Sequence, residues 1–517
     1  MLFWEDGSVT GPKPSPDETP APGLGSRAAA VLAVLSSAAV LVVEITALRL
    51  LAPYLGLTLE TSTLVIGIAL AAIALGSWLG GRAADVVDPR RLIGAALGGS
   101  GAVVALTPAL LRTAAEWAEP LLMLIAALTI LVPGALLAAI TPMVTKLRLT
   151  SLTETGTVVG RLSGLSTVGA IAGTVLTGFV LITWLPVSAI LVGLGVLLVL
   201  GGALVEWRMR RWNAGRTAVL TVFTVAGGLA GYFGPGGCDT ETKYHCTRVI
   251  ADPERSSGRT LLLDGIQHSY VDLDDPTFLR YTYVRAIASV VDAAFPPGRA
   301  LAAYHLGGGG LTVPRYLAAT RPGTRSVVSE IDGGVVRIDY DELGLPRDAG
   351  IEVRVEDGRL GLRELEFDSR DLVVGDAFGG VAVPWHLTTV EALSEVHRIL
   401  DADGVYVANL IDYGNLGFAR AQVATLREVF EHVVVLGEPN DLGLDPVVPI
   451  DGGNMVVVAS DRHLDLDAVQ RALDAESTGW TVSSGDDLAR WVGDAVVLRD
   501  DHAPVDQLLE PTRPARS

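Results

Sequence analysis

The chain is poor in cysteine, in aromatics and in positive charge. Of its 517 residues two are Cys and 6% are aromatic, and 39 Lys and Arg stand against 58 Asp and Glu. Two cysteines argue against a zinc site. A formal net charge of −19, with no basic patch carrying interleaved aromatics, excludes nucleic acid as a partner. The start of the chain also lacks the basic flank, short apolar core and small-residue site of a cleavable signal. Residues 1–26 are instead rich in Pro, Gly and acids and are expected to form a disordered cytoplasmic tail.

Apolar residues are what the chain has in excess. Half of it is hydrophobic and its mean hydropathy is +0.42. These residues concentrate before position 235, in stretches long enough to cross a hydrocarbon core of roughly 30 Å. Seven spans are expected, at about 28–52, 61–82, 92–111, 120–142, 162–184, 186–206 and 217–234, forming a membrane domain over 27–236. The last, "TAVLTVFTVAGGLAGYFG", is short and glycine-rich. Loops 80–91, 145–161 and 206–216 carry ten Arg or Lys, whereas loops 52–60, 112–120 and 185–188 carry only Arg112. The basic loops are therefore read as cytoplasmic, and an odd number of spans puts the C-terminal half on the far side of the cell membrane.

Within the spans, "GSWLG" (76–80) and "GAIAG" (169–173) place small residues four apart, a spacing that lets helices pack closely. Glu44 is a carboxylate well inside a span, with Arg49 one turn on. Both a structural ion pair and a transport site are open readings. "GSWLGGRAAD" also looks like a loop of major-facilitator transporters, but seven spans are too few for that fold.

Cys238 and Cys246 lie in "CDTETKYHC", just after the last span. A close pair outside the cytoplasm reads as a disulfide, with two unrelated thiols as the alternative. His245 is the one other good ligand nearby, which argues against zinc, and no metal is expected.

A linker and small β region are expected over 237–298, followed by an α/β domain over 299–517. Strand candidates at 300–306, 326–331, 351–356, 371–378, 404–411, 432–437 and 454–460 alternate with helical stretches, notably 388–400 and 416–431. Such alternation argues for a parallel sheet covered on both faces. Ligands on such sheets sit beyond the C-terminal strand ends, at 307–310, 330–332, 357–358 and 376–379. In "YHLGGGGLTVPRYLAAT" (304–320) the glycines Gly307, Gly308 and Gly309 let backbone approach a ligand, and a helix follows. Glu330 and Asp332 come about 20 residues later, where an acid accepts ribose hydroxyls. A solvated strand end is the plain alternative.

Taken together, these segments resemble the spermidine synthase (polyamine aminopropyltransferase) family, in its membrane-fused branch. "LLLDGIQHSYVDLDDP" (261–276) is similar to the family's small β region and carries Gln267. "HLGGGG" is similar to its glycine loop, "VVSEIDGGVV" to the ribose-binding segment, "RVEDGRL" to the adenine-side turn and "DLVVGDAFGG" to the catalytic strand end. "VPWHLTT" and "LDADGVYVANL" follow the same pattern. The resemblance implies an S-adenosylmethionine-methyltransferase-like Rossmann sheet after a multi-span α-helical domain. It also implies decarboxylated S-adenosylmethionine as co-substrate, with no cofactor held tightly, and a small amine or polyamine as acceptor. Donor contacts then fall to Gly307, Gly308, Gly309, Glu330, Asp332, Asp357 and Gly358, and acceptor-side contacts to Gln267 and Tyr283. Asp376 is the base. The partners are a lipid bilayer and the amine, with room for a homodimer.

The match breaks where the family keeps further polar groups: Gly310, Arg285, Gly379 and Cys246 stand there instead. The acceptor half of the pocket is thus expected to be stripped of acids. Asp500, Asp501 and His502, in "LRDDHAPVDQLL", either return acids to the pocket or cap a terminal turn. An extracytoplasmic binding or accessory domain without turnover, or another S-adenosyl-dependent transferase, are the alternatives.

Overall fold

A computed structural model describes residues 25–55, 59–117, 121–149, 154–209, 214–233, 238–380, 382–445 and 447–509. The expected disordered tail lies outside these residues, apart from its last two positions.

The apolar N-terminal half consists of α1 (Ser26–Leu55), α2 (Leu59–Val86), α3 (Pro89–Trp117), α4 (Leu122–Ala138), α5 (Ile140–Arg148), α6 (Thr155–Leu176), α7 (Ile182–Trp184), α8 (Val187–Arg208) and α9 (Ala214–Phe233). Helix α5 continues α4, and a π-helical stretch, Thr177–Leu181, joins α6 to α7. Among the described residues six units are long and apolar enough to cross a membrane, and α9 supplies a shorter apolar run, Ala214–Ala230.

Small residues set the helix pairs. A Cβ on Gly76 would lie 2.2 Å from the Ala135 carbonyl oxygen, and one on Gly169 equally close to that of Val34. Gly80 and Gly173 make the next contacts one turn on, against Ala139 and Ala38. The two spaced glycine motifs are therefore helix-packing seams. Because 34–38 runs alongside 169–173, α1 and α6 are parallel, as are α2 and α4. Gly101 against Gly195 and Gly94 against Gly202 make α3 and α8 antiparallel. Gly98 meets Leu220 and Gly227 meets Leu106, so α9 runs parallel to α3.

After the spans comes an antiparallel sheet of β1 (Thr240–Glu241), β2 (Cys246–Ala251), β3 (Gly258–Leu263) and β4 (Ile266–Asp272). Cys238 and Cys246 form a disulfide at the base of the β1–β2 hairpin. The hairpin docks on the apolar helical half through three helix ends. Arg49 of α1 donates to the Tyr244 carbonyl, Arg112 of α3 pairs with Glu241 at 3.2 Å, and Ser188 of α8 donates to Glu241 at 2.7 Å. These ends border the three loops that are poor in basic residues.

Helix α10 (Thr282–Ala294) leads into the main domain: β5 (Ala302–Leu306), α11 (Thr312–Thr320), β6 (Arg325–Glu330), α12 (Gly333–Asp341), β7 (Ile351–Val355), α13 (Gly358–Glu364), β8 (Arg370–Gly375), α14 (Val390–Ile399), β9 (Leu400–Tyr413), α15 (Gly417–Leu426), β10 (His432–Gly437), β11 (Gly452–Ser460), α16 (Leu466–Ala475), β12 (Thr481–Ser483), α17 (Gly485–Val492) and α18 (Val505–Leu508). The sheet order is β12-β10-β11-β9-β8-β5-β6-β7. Strands β5 to β9 are parallel, but β11 is antiparallel to both its neighbours and β12 to β10. The sheet is mixed rather than wholly parallel because the described residues of the 438–451 return from β10 to β11 form no crossover helix, and such a return gives antiparallel pairing.

Alternate side chains feed two cores. Ala303, Leu372, Val374, Val405 and Val407 pack with α10, α11 and α16. Tyr304, Leu306, Val373, Tyr406 and Ala408 pack on the other face, beneath α14 and α15. From β5 the chain moves outward to β6 and then returns to β8 on the other side. This switch point opens a crevice at the C-terminal strand ends.

Candidate active site

That crevice is a cleft of about 590 Å³. Its floor is the glycine loop. Gly307 has φ +95°, and a Cβ there would lie 2.2 Å from the Asp376 carbonyl oxygen, so only glycine fits beside the β8 strand end. The Asp376 amide donates to the Leu306 carbonyl at 2.9 Å and ties the two strand ends together.

Glu330 closes β6 directly against the loop. Its Oε2 accepts the Gly308 amide and its Oε1 the Asp332 amide, each at 2.8 Å. Burial raises its pKa above the usual carboxylate value, and the two amide bonds oppose that rise. Each carboxylate oxygen retains a lone pair for a ligand hydroxyl. Asp357 caps α13 by accepting the Arg359 and Leu360 amides, and its other oxygen lies 2.9 Å from Nε2 of His386. Gly358 follows it in the wall.

Asp376 is held from two elements. Its Oδ1 accepts from the Asn409 side-chain amide at 3.0 Å, and its Oδ2 from the Tyr283 hydroxyl at 3.4 Å. Asn409 is steadied in turn by Asn454 at 3.0 Å. Burial pushes the Asp376 pKa up to about 6, against the lowering effect of those two bonds. A carboxylate with that pKa is ionised at neutral pH yet basic enough to take a proton in a reaction. Tyr283 stacks on Tyr281, whose hydroxyl donates to Gln267 at 3.2 Å. Burial, and then the adjacent Asp376, raise the Tyr283 pKa well above 10.0, so it stays a neutral donor.

The lining charges are one-sided. Glu330, Asp357, Asp376, Glu438 and Asp441 face or border the cleft, and no Lys or Arg is among its described lining residues. His268, also in the lining, is pushed down to about 4 by burial and so is uncharged at neutral pH. A cation is the ligand this field favours.

The structure thus brings Gly307, Gly308, Gly309, Glu330, Asp357, Gly358, Asp376, Gln267 and Tyr283 to one cleft. Asp332 does not join them. It is fully buried, its Oδ1 caps α12 at the Gly334 amide, and its Oδ2 takes the Thr242 hydroxyl. Gly310 has no room for a side chain, since a Cβ would lie 2.2 Å from Ser269 Oγ. Arg285 is not among the lining residues, and its guanidinium donates to Thr282, which is. The cleft is not stripped of acids as expected: Glu438 and Asp441 of the β10–β11 loop are among its lining residues, with Asp441 Oδ1 held by the Asp451 and Gly452 amides. Asp500 is no part of it. Arg359 grips this side chain through two bonds of 2.8 and 2.6 Å, and Thr389 adds a third. Asn409, Asn454, His386 and Glu438 were missed in sequence. Asn409 had a signal, as a lone amide inside the apolar run "GVYVANLI".

The fold and cleft define an S-adenosylmethionine-methyltransferase-like α/β domain, joined to a multi-helix apolar domain, with an acidic pocket at the strand ends. Within that class the chain is spermidine synthase-like in sequence. It is 31% identical over 140 residues to a polyamine aminopropyltransferase of Vibrio vulnificus (strain CMCP6), a match spanning 27% of this chain and 46% of that relative's length. Among solved structures it is similar to a probable spermidine synthase from Corynebacterium glutamicum ATCC 13032 (29% identity, 54% of this chain and 100% of that one, TM-score 0.47). It is also similar to spermidine synthase from Thermotoga maritima (18% identity, 53% and 83%, TM-score 0.33). No family model matches the chain.

Proposed function

We propose that the cleft binds a cationic adenosyl donor, decarboxylated S-adenosylmethionine, and transfers its aminopropyl group to an amine. The observation that carries this reading is a half-buried Asp376, hydrogen-bonded by Asn409 and Tyr283 and with its pKa raised, in a cleft whose described lining has acids and no Lys or Arg. A protonated amine has a pKa of about 10, so it must lose a proton before its lone pair can attack. Asp376 takes that proton. The nitrogen forms a bond to the methylene carbon beside the sulfonium, the carbon–sulfur bond breaks, and its electron pair stays on sulfur as neutral 5′-methylthioadenosine. Tyr283 and Asn409 hold the carboxylate in place. Glu330 accepts the ribose hydroxyls over the glycine loop, and Asp357 and Gly358 border the adenine.

We further propose that the helices anchor the domain in the cell membrane and that the cleft lies outside the cytoplasm. The domain docks at the face poor in basic residues, and its hairpin carries a disulfide. This placement favours a second reading, a nucleoside- or amine-binding domain without turnover, because adenosyl donors are made inside the cell.

Donor selectivity tests the proposal. Calorimetry on the full chain in detergent is expected to show decarboxylated S-adenosylmethionine binding more tightly than S-adenosylmethionine, whose extra carboxylate the acidic lining repels. Equal or reversed affinity would remove the aminopropyl donor from the account.

A further inference from the structure

Arg49 connects the membrane half to the glycine loop through an unbroken run of hydrogen bonds. Its guanidinium donates to the Tyr244 carbonyl and, at 3.4 Å, to the Thr242 carbonyl. The Thr242 hydroxyl donates to Asp332 Oδ2. Thr242 also packs on the first turn of α12, where a Cβ on Gly334 would lie 2.4 Å from its methyl carbon. Asp332 gives its amide to Glu330, and Glu330 holds the Gly308 amide, each at 2.8 Å.

The hairpin that carries Thr242 has little freedom to move independently of the spans. Glu241, one residue before it, is gripped by Arg112 and Ser188. The Cys238–Cys246 disulfide closes its base. Asp264 holds the Cys246 amide at 2.9 Å and the His245 ring at 2.8 Å, and His245 itself lines the cleft. A displacement at the end of α1 therefore passes to the acid that faces the ribose.

We infer that Arg49 is a positioning residue for the nucleoside side of the cleft, acting through Thr242 and Asp332 on Glu330. The membrane half is then part of the binding site's frame rather than only its anchor. This rests on the reading of the cleft as a nucleoside site. Glu330 serves a diol only if its two oxygens are held in register with the loop. Buried hydrogen-bond networks fix such geometry and lose it when one link is cut.

The test uses the full chain in detergent, with 5′-methylthioadenosine as probe and four proteins: the unmodified chain, Arg49→Gln, Thr242→Val, and the double variant. Each single change is expected to weaken binding about tenfold, within the usual range of coupling between sites. The double variant is expected to bind no more weakly than either single one, because both cut the same path. Thr242→Val leaves the spans untouched, so it stands as a test even where Arg49→Gln fails to fold. Unchanged affinity in the folded single variants, even with a lowered melting temperature, would overturn the inference and leave the nucleoside reading standing. Additive losses would overturn it too. If the unmodified chain does not bind the probe, both readings fall together.

Discussion

Asn409, in the middle of β9, donates its side-chain amide to Asp376 at 3.0 Å, across the parallel pairing of β8 with β9. Strand register makes this contact dependable, since Gly375 is paired with Ala408 and the next residue on each strand shares a face. The proposed base is thus fixed by the sheet itself.

Removing the carboxylate separates chemistry from binding. Asp376→Asn is expected to lower transfer by about 10²–10⁴-fold, the usual contribution of a positioned base. Affinity for 5′-methylthioadenosine should stay within a few-fold, because Glu330 and the glycine loop remain. Initial rates and calorimetry on the same preparation check both.

The same change bears on stability. Asp376 has a folded pKa of about 6 against 3.8 for the free group, so the folded protein holds the proton more tightly. Stability from this group is full below pH 3.8, declines as pH rises through about 6, and is absent above. The ionised group then costs at most about 3 kcal/mol at neutral pH. Asp376→Asn is expected to melt higher than the unmodified chain at pH 7.5, with the gap narrowing towards pH 4.

Asn409 lowers the Asp376 pKa by its hydrogen bond. Asn409→Ala is therefore expected to move the acid limb of the pH–rate profile to higher pH, whereas a purely structural defect would scale the whole profile. A shift to lower pH would contradict the assigned role.

Glu330→Gln keeps the shape of the side chain but removes its charge, and one of its two oxygens becomes an amide that cannot accept a backbone N–H. Nucleoside binding is expected to weaken about 10–100-fold, measured by calorimetry. Asp332→Asn disturbs the same run of hydrogen bonds as Thr242→Val, so although Asp332 lies outside the cleft it is expected to weaken nucleoside binding about tenfold as well as to lower stability.

The side of the membrane is read by the disulfide. Thiol labelling of intact cells with an impermeant maleimide should require prior treatment with an impermeant reductant. Labelling that appears only after lysis would put the cleft in the cytoplasm.

Much of this arrangement was legible in the sequence because its signals are periodic. The glycines at 76, 80, 169 and 173 repeat at one helical turn and turned out to be close helix-packing contacts. The strand–helix alternation led to the glycine loop and to the strand-end acids Glu330, Asp357 and Asp376. Asp332 was misplaced because an acid at a helix start either caps it or faces a ligand, and spacing alone does not separate the two. Glu438 and Asp441 were hidden in a loop with no periodicity. The reversed β11 was hidden for the same reason. Arg49 was read against Glu44, its neighbour in sequence, whereas its bonds go to carbonyls nearly 200 positions later.

The most direct measurement is transfer itself. The full chain is incubated with decarboxylated S-adenosylmethionine labelled in the aminopropyl group and with a panel of mono- and diamines, beside Asp376→Asn. The account predicts label in an elongated amine, one 5′-methylthioadenosine released per transfer, and loss of both in the variant. Tight nucleoside binding with no labelled amine would contradict it and leave a binding domain in its place.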